Sequence, residues 1–278
     1  MNNGIILNYI TFIYFFAFIS YLLMMCFDKK IFGKAATIIT VIGFIGHTAG
    51  LILRWIESYQ LGIGHAPLSN LYESLIFFSW TIILLYLLVE WRVGNKSIGA
   101  FVTPLAFLAM AYSSFSEDAI EPLVPALQSN WLTAHVATSF LGYAAFALSF
   151  GLSIMYLIKS KSSSAKESGF IKLIPDAETL EELSYQIVVM GFLMLTLCII
   201  TGAVWANSAW GTYWSWDPKE TWSLITWFIY AAMLHSCLVS GWRGKKMAVF
   251  SIVGFFCVIF TYLGVNLLLS GLHSYGSA

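Results

Sequence analysis

Eight stretches of this sequence are long and apolar enough to cross a lipid bilayer, or nearly so: residues 5–27, 35–57, 71–91, 97–112, 131–158, 184–205, 222–240 and 247–269. A span needs ~20 largely apolar residues, and inside the hydrocarbon every backbone polar group must find its partner within the chain. Helix is therefore the expected state of each stretch. The fourth is the weakest, being short and interrupted by Pro104. Charged residues make up 10% of the chain, against about 25% in a soluble domain. The mean hydropathy is +0.79. The expected architecture is an all-α polytopic membrane helix bundle of about eight transmembrane helices, forming one domain over 1–278. The first stretch has no Lys or Arg before it, runs long for a secretory signal and has no small-residue cleavage site after it, so it reads as a retained helix.

Net charge is zero, and the placement of the charges is what informs. Lys29, Lys30, Lys34, Arg92, Lys96, Lys159, Lys161, Lys166, Lys172, Arg243, Lys245 and Lys246 fall in connections that share one side of an eight-span topology. Only Arg54 and Lys219 remain for the other side. Cations concentrate on the cytoplasm-like face of membrane proteins. The basic loops are thus expected on the cytoplasmic or stromal side, with both termini on the opposite one. No nucleic-acid partner is expected. Cys26, Cys198, Cys237 and Cys257 are isolated within or beside apolar runs, and no C-x-x-C occurs. They read as packing residues, with neither a thiol relay nor a zinc site suggested.

One outer connection is unlike an ordinary loop. Trp205, Trp210, Trp214, Trp216 and Trp222 place five indoles, with Tyr213 and Gly211 among them, within residues 205–222. Tryptophans gather at headgroup depth, which accounts for one or two at a helix end. A dense cluster through a Gly-containing loop better suits a large planar ligand. Asp217-Pro218-Lys219-Glu220 carries a helix-start signature, with Asp as N-cap, Pro first and Glu third. Such a start also offers backbone N–H groups and a positive dipole end to an anion, and Lys219 adds charge. Asn70-Leu71-Tyr72-Glu73 repeats the capping pattern, so Glu73 reads as structural more than catalytic, though both Asn70 and Glu73 could line the site.

His135 and His273 lie near the outer ends of the fifth and eighth stretches, on the side of the tryptophan loop. Two imidazoles flanking an aromatic platform could supply both axial positions of a haem iron. His235 lies inside the seventh stretch, nearer the basic side, where an ionisable residue is a functional candidate by default. A second haem, a proton route or a buried hydrogen bond would each account for it. His47, in the second stretch, reads as mainly structural. His65 stands on an outer loop and could line the site. Arg54 is placed either for an i,i+3 pair with Glu57 or for contact with a propionate.

The run Trp210-Gly-Thr-Tyr-Trp-Ser-Trp-Asp-Pro-Lys-Glu-Thr-Trp222 resembles the WWD signature of a superfamily of haem-handling membrane proteins. Within it the chain is similar to the CcsA family of the system II cytochrome c biogenesis pathway, in its plastid and cyanobacterial form. Gly64-His-Ala-Pro-Leu-Ser-Asn-Leu-Tyr-Glu-Ser74, Leu123-Val-Pro-Ala-Leu-Gln128, Gly202-Ala-Val-Trp-Ala-Asn207, Gly264-Val-Asn266 and Gly271-Leu-His-Ser-Tyr-Gly276 carry the narrower likeness. It covers nearly the whole chain from Arg54 onward, whereas the first span and the loop after Lys159 match only in character.

The resemblance implies a membrane subunit of a cytochrome c haem lyase or synthase. Such a subunit takes haem b as bound substrate and presents it on the outer, lumenal face of a thylakoid membrane. Thioether bonds then form to apocytochrome c bearing C-x-x-C-H. It implies His135 and His273 as axial ligands at the tryptophan loop and His235 as one ligand of a haem within the membrane. It also implies a CcsB-type membrane partner, and thiol-reducing proteins acting indirectly. Rival readings are a system I-type WWD protein handing haem to a chaperone, a haem-free transporter with an aromatic gate, and a purely structural subunit.

Overall fold

A computed structural model describes residues 3–162 and 169–269. They form α1 (Asn3–Phe27), α2 (Lys30–Gln60), α3 (Leu71–Val93), α4 (Gly99–Ser113), α5 (Asn130–Lys159), α6 (Ala177–Trp210), α7 (Pro218–Val239) and α8 (Lys245–Ile259). A π-helical turn over Phe260–Gly264 then leads into the short α9 (Val265–Leu268). Short 3-10 turns occupy Lys96–Ile98, Pro125–Leu127 and Gly169–Leu173. His273, its motif 271–276 and Lys166 lie outside the described residues.

Among the described residues, 7 helices are long and apolar enough to cross a membrane: α1, α2, α3, α5, α6, α7 and the continuous run Lys245–Leu268. The eighth expected span, α4, has 15 residues with Pro104 inside and falls short of that length. It still runs the depth of the bundle, because its two ends are tied to opposite ends of α3. At its entry, Lys96 Nζ stands 2.6 Å from Glu90 Oε1, in the last turn of α3. Beyond its exit, the carbonyls of Asp118 and Ala119 accept from Arg54, which pairs with Glu73 in the first turn of α3. Val102, Thr103 and Ala106 of α4 have no exposed surface. A helix wrapped by protein instead of lipid can be short and carry a proline, since its neighbours supply the apolar surroundings.

α5 lies at the middle of the bundle, packed on α3, α4, α6 and α8, while α1 packs on α2 and α4, and α7 on α6 and α8. Without a hydrophobic force between helices in lipid, close backbone approach drives association. α2 presents Gly43, Gly46 and Gly50 to α1, so tightly that a Cβ at Gly50 would lie 2.9 Å from Leu7. Buried polar groups then set register. The Glu90 carboxylate accepts from Tyr21 of α1 (2.9 Å), Thr37 of α2 (2.5 Å), Lys96 before α4, and Tyr86 of its own helix. Three helices and the turn before α4 thus share one carboxylate at the basic end. That end also gathers the other cation-bearing connections, through Asn95 Nδ2 to the Leu173 carbonyl (3.1 Å) and Arg243 to Glu181 (3.8 Å).

Candidate functional site

The tryptophan loop takes its shape from the ends of two helices. α6 stops at Gly211, whose φ of +78° is the left-handed C-cap that a residue without Cβ adopts freely. α7 starts as its sequence requires. Asp217 is the N-cap, its side chain accepting from Lys219 N at 2.9 Å. Pro218 is first, and Glu220 reaches back to the N–H groups of Asp217 (3.2 Å) and Ser215 (2.8 Å). Between them Trp216 holds a φ of +61°, a conformation uncommon for any bulky residue. It stands 69% exposed, edge-on to Trp214.

Beneath this loop lies a cavity of about 280 Å³, lined mostly by apolar side chains from the outer ends of α3, α5, α6 and α7, the π turn and α9. His135, Trp205, Tyr213, Trp214, Lys219, Glu220 and Asn70 all line it. Trp205 is buried, with Trp210 packed behind it at 5.1 Å. Trp222 turns away from the loop onto Phe260 at 4.3 Å. The tryptophans therefore do not form a single flat platform: two line the cavity, two brace it and Trp216 faces outward.

His135 is the best-defined group in the cavity. Its ring lies nearly parallel to the Trp205 indole, 5.7 Å between centroids. Nδ1 is 2.9 Å from the Cys198 carbonyl oxygen, which can only accept, so Nδ1 carries the proton. That leaves Nε2 with a lone pair on a ring that lines the cavity, the arrangement in which histidine binds metals. Ser139 ties the Cys198 thiol (2.9 Å) to the backbone of His135 (2.6 Å). Gly202 makes room: a Cβ there would sit 2.7 Å from Nδ1. Among the described residues no three His, Cys, Asp or Glu side chains converge as a metal site. An iron already held by a macrocycle needs only one or two protein ligands.

Other candidates stand elsewhere. Arg54 is buried, with Nε on Glu73 Oε1 at 2.8 Å, Nη1 on the Asp118 carbonyl and Nη2 on that of Ala119, and it is not among the residues lining the cavity. Glu73 is an acidic partner from another helix. Glu73 also accepts from Ser69 N and Oγ at 2.7 Å each, a structural role matching its capping pattern. His65 has Nδ1 against the Ala66 carbonyl (2.8 Å) and Nε2 against that of Glu121 (3.0 Å), pinning two outer loops together away from the cavity. His47 is fully buried against Tyr14 at 3.1 Å. His235 is exposed on the outward face of α7, beside the apolar Phe228 and Leu238, and shares no surroundings with His135. Sequence reading passed over Cys198, Ser139 and Gly202 as partners of His135. Their signal was helical spacing, since 198, 202 and 205 share one face of α6, and 135 and 139 one face of α5.

This bundle falls in the class of membrane proteins of cytochrome c assembly. The model of the family described as Cytochrome C assembly protein matches residues 68–273. The solved Cytochrome c Heme Lyase CcmF has the same fold at a TM-score of 0.67, with 16% identity, covering 98% of this chain and 47% of that one. Cytochrome c biogenesis protein CcsA of Synechococcus sp. (strain CC9902) is 44% identical over 255 residues, 82% of either chain. That of Guillardia theta is 42% identical over 97% of this chain and 95% of its own. The Chlamydomonas reinhardtii protein is 46% identical over 81% of this chain and 64% of its own. The chain belongs to the CcsA family of cytochrome c biogenesis proteins. Its work lies in cytochrome c maturation, as a multi-pass membrane protein.

Proposed function

We propose that this protein binds haem b as cargo in the cavity under the tryptophan loop. There it presents the haem, on the lumenal face of a thylakoid membrane and with a CcsB-type partner, to apocytochrome c. The observation that carries this reading is His135, oriented by the Cys198 carbonyl, stacked on Trp205 and left with a free Nε2 lone pair in the cavity. Nε2 takes one axial position of the iron. His273 takes the other: it follows Leu269 by four residues, a reach of at most about 14 Å, and Leu267 already lines the cavity. At about 280 Å³ the cavity lies at the small end of ligand pockets, which run from ~300 Å³ upward. The part of the macrocycle beyond the cavity would be held by the exposed loop rings, Tyr213 first. Lys219 and the N-terminus of α7 favour the propionates.

Each thioether forms as a cysteine S–H adds across a haem vinyl, sulfur to one carbon and hydrogen to the other. Reduced thiols are required, and without a C-x-x-C this chain leaves their reduction to another protein. The apocytochrome's own histidine then displaces one axial ligand. His235, on an outward apolar face where an ionisable group is costly, serves a haem within the membrane whose other ligand comes from the partner. The concentration of cations at the opposite end supports a lumenal cavity.

The test is the absorption spectrum of the protein purified with its partner, wild type against H135A, H273A and H235A. Loss or change of the haem bands in the first two, with failed cytochrome maturation, is the expected result. A colourless wild-type preparation would sink the reading in favour of a haem-free transporter, and bands untouched by both outer substitutions would remove the axial assignment.

A further inference from the structure

His65 does not line the cavity, yet its ring is bound in a way that a neutral histidine does not allow. Nδ1 is 2.8 Å from the Ala66 carbonyl oxygen, and Nε2 is 3.0 Å from that of Glu121. A carbonyl oxygen only accepts, and a neutral imidazole has one N–H and one lone pair. Either tautomer would set that lone pair against an oxygen at hydrogen-bond distance, which is repulsive. The imidazolium, with an N–H on each nitrogen, donates to both. The residue is 7% exposed, so bulk water offers the ring little in exchange.

The ring joins two outer connections that both reach the cavity. The first, residues 61–70, is wound on the end of α2: Ile63 N and Gly64 N donate to the Ser58 carbonyl and His65 N to Ser58 Oγ, each at 3.0 Å. The Ala66 carbonyl that accepts from the ring also accepts from Leu68 N at 2.8 Å, and Leu68, Ser69 and Asn70 line the cavity. The second connection, residues 114–129, brings Leu127 to it. Its backbone is held by Arg54 at the carbonyls of Asp118 and Ala119, by Asn70 Nδ2 at Ala119 and by His65 at Glu121. Of these three side chains, histidine is the type that changes charge between about pH 5 and about pH 8.

The titratable groups on the segments around it are Arg54, Glu57 and Tyr59 of α2, Tyr72 and Glu73 of α3, and Glu117, Asp118 and Glu121 of the second connection. Arg54, the one cation among these, is met by Glu73. The other charged groups are carboxylates, which attract a positive ring. We propose, resting on the haem reading, that His65 is a positioning residue whose imidazolium clamps the 61–70 connection to the 114–129 connection. The clamp holds the rim of the cavity in the shape that receives haem. Loss of the ring proton removes one of the two hydrogen bonds and turns a lone pair onto a carbonyl. The clamp is therefore whole at low pH on the outer side and loosens as pH rises, so the seating of haem answers to the acidity of that compartment.

The experiment uses the full chain with its membrane partner in nanodiscs, as wild type and as His65→Gln, which keeps a donor amide and cannot take up a proton. Amide hydrogen exchange of residues 61–70 and 114–129 is followed between about pH 5 and about pH 8, corrected for the intrinsic pH dependence of exchange. Wild type should lose protection about 10–100-fold as pH rises, the worth of a hydrogen bond from a charged group. The Gln variant should exchange fast throughout. Haem titration of the same two proteins gives a ratio of affinities at each pH, in which titration of the iron ligands cancels. That ratio should favour wild type about three- to tenfold at low pH, the worth of one hydrogen bond, and approach unity at high pH. Wild-type protection that stays flat, or a pH dependence that persists in His65→Gln, would overturn the proposal. A ratio of haem affinities that does not move with pH would overturn the link from clamp to cavity. Should the Gln variant fail to accumulate, His65→Asn takes its place, and the wild-type exchange profile stands without either. Absence of haem from the wild type would defeat the haem reading alone, and the exchange comparison would still decide whether His65 is the clamp.

Discussion

His135 shows how much of a candidate ligand is decided by its neighbours. A histidine near a helix end can accept, donate or do both, and neither its identity nor its position says which. Here the Cys198 carbonyl fixes the proton on Nδ1, and Gly202 leaves the space in which the ring lies against Trp205. Gly202→Ala should therefore act like a loss of the ligand's support, lowering haem affinity about 10–100-fold, as removal of outer partners of metal ligands does. Haem titration of the purified variant, with circular dichroism to confirm an intact fold, measures it; affinity equal to wild type would mean that the ring tolerates the added methyl. Residue types and capping patterns were legible here: Asp217, Pro218 and Glu220 start α7 as their order dictates. The seat of His135 was not, because its parts lie on two helices some sixty residues apart in sequence.

At the scale of elements, polar clusters at the two ends of the bundle hold helices whose apolar faces alone would slide. Glu90 receives donors from four segments and is nearly buried, while its partner Lys96 keeps 32% of its side chain exposed. The two ends of that ion pair should then behave unequally. Glu90→Leu strands the hydroxyls of Tyr21, Tyr86 and Thr37 and an ammonium, and should cost ~3–5 kcal/mol, the range for breaking a buried pair. Lys96→Met removes one half-solvated partner and should cost at most about 1 kcal/mol. Thermal unfolding of both variants, followed by size-exclusion of a fluorescent fusion, compares them; equal losses would show that the charge pair, and not the carboxylate's network, sets the register. α4 belongs to this scale as well. Its length and Pro104 made it the doubtful span, and what carries it through the bundle is enclosure by α1, α3 and α5, which no local pattern announces.

For the whole molecule, the two ends differ in chemistry, one rich in cations and one bearing the cavity and the tryptophan loop. If the basic end faces the stroma or cytoplasm, a cysteine placed at Lys161 and one at Ser116, each in a chain with the native cysteines replaced, should react with a membrane-impermeant maleimide from opposite sides. Labelling of both from one side would contradict the eight-pass arrangement. The sequence alone determined that the chain is a helical membrane bundle, which end carries positive charge, and where the tryptophan loop gives way to α7. Those properties follow from hydrocarbon length, charge placement and local capping, each written in contiguous residues. Only the tertiary structure decided that Arg54 and Glu73 lock helices together outside the cavity lining, that His235 faces outward, and that His135, Trp205, Ser74 and Asn266 share one cavity. Those relations depend on helix rotation and register, which are set by glycine contacts and buried hydrogen bonds between distant segments. No stretch of sequence holds both halves of such a contact.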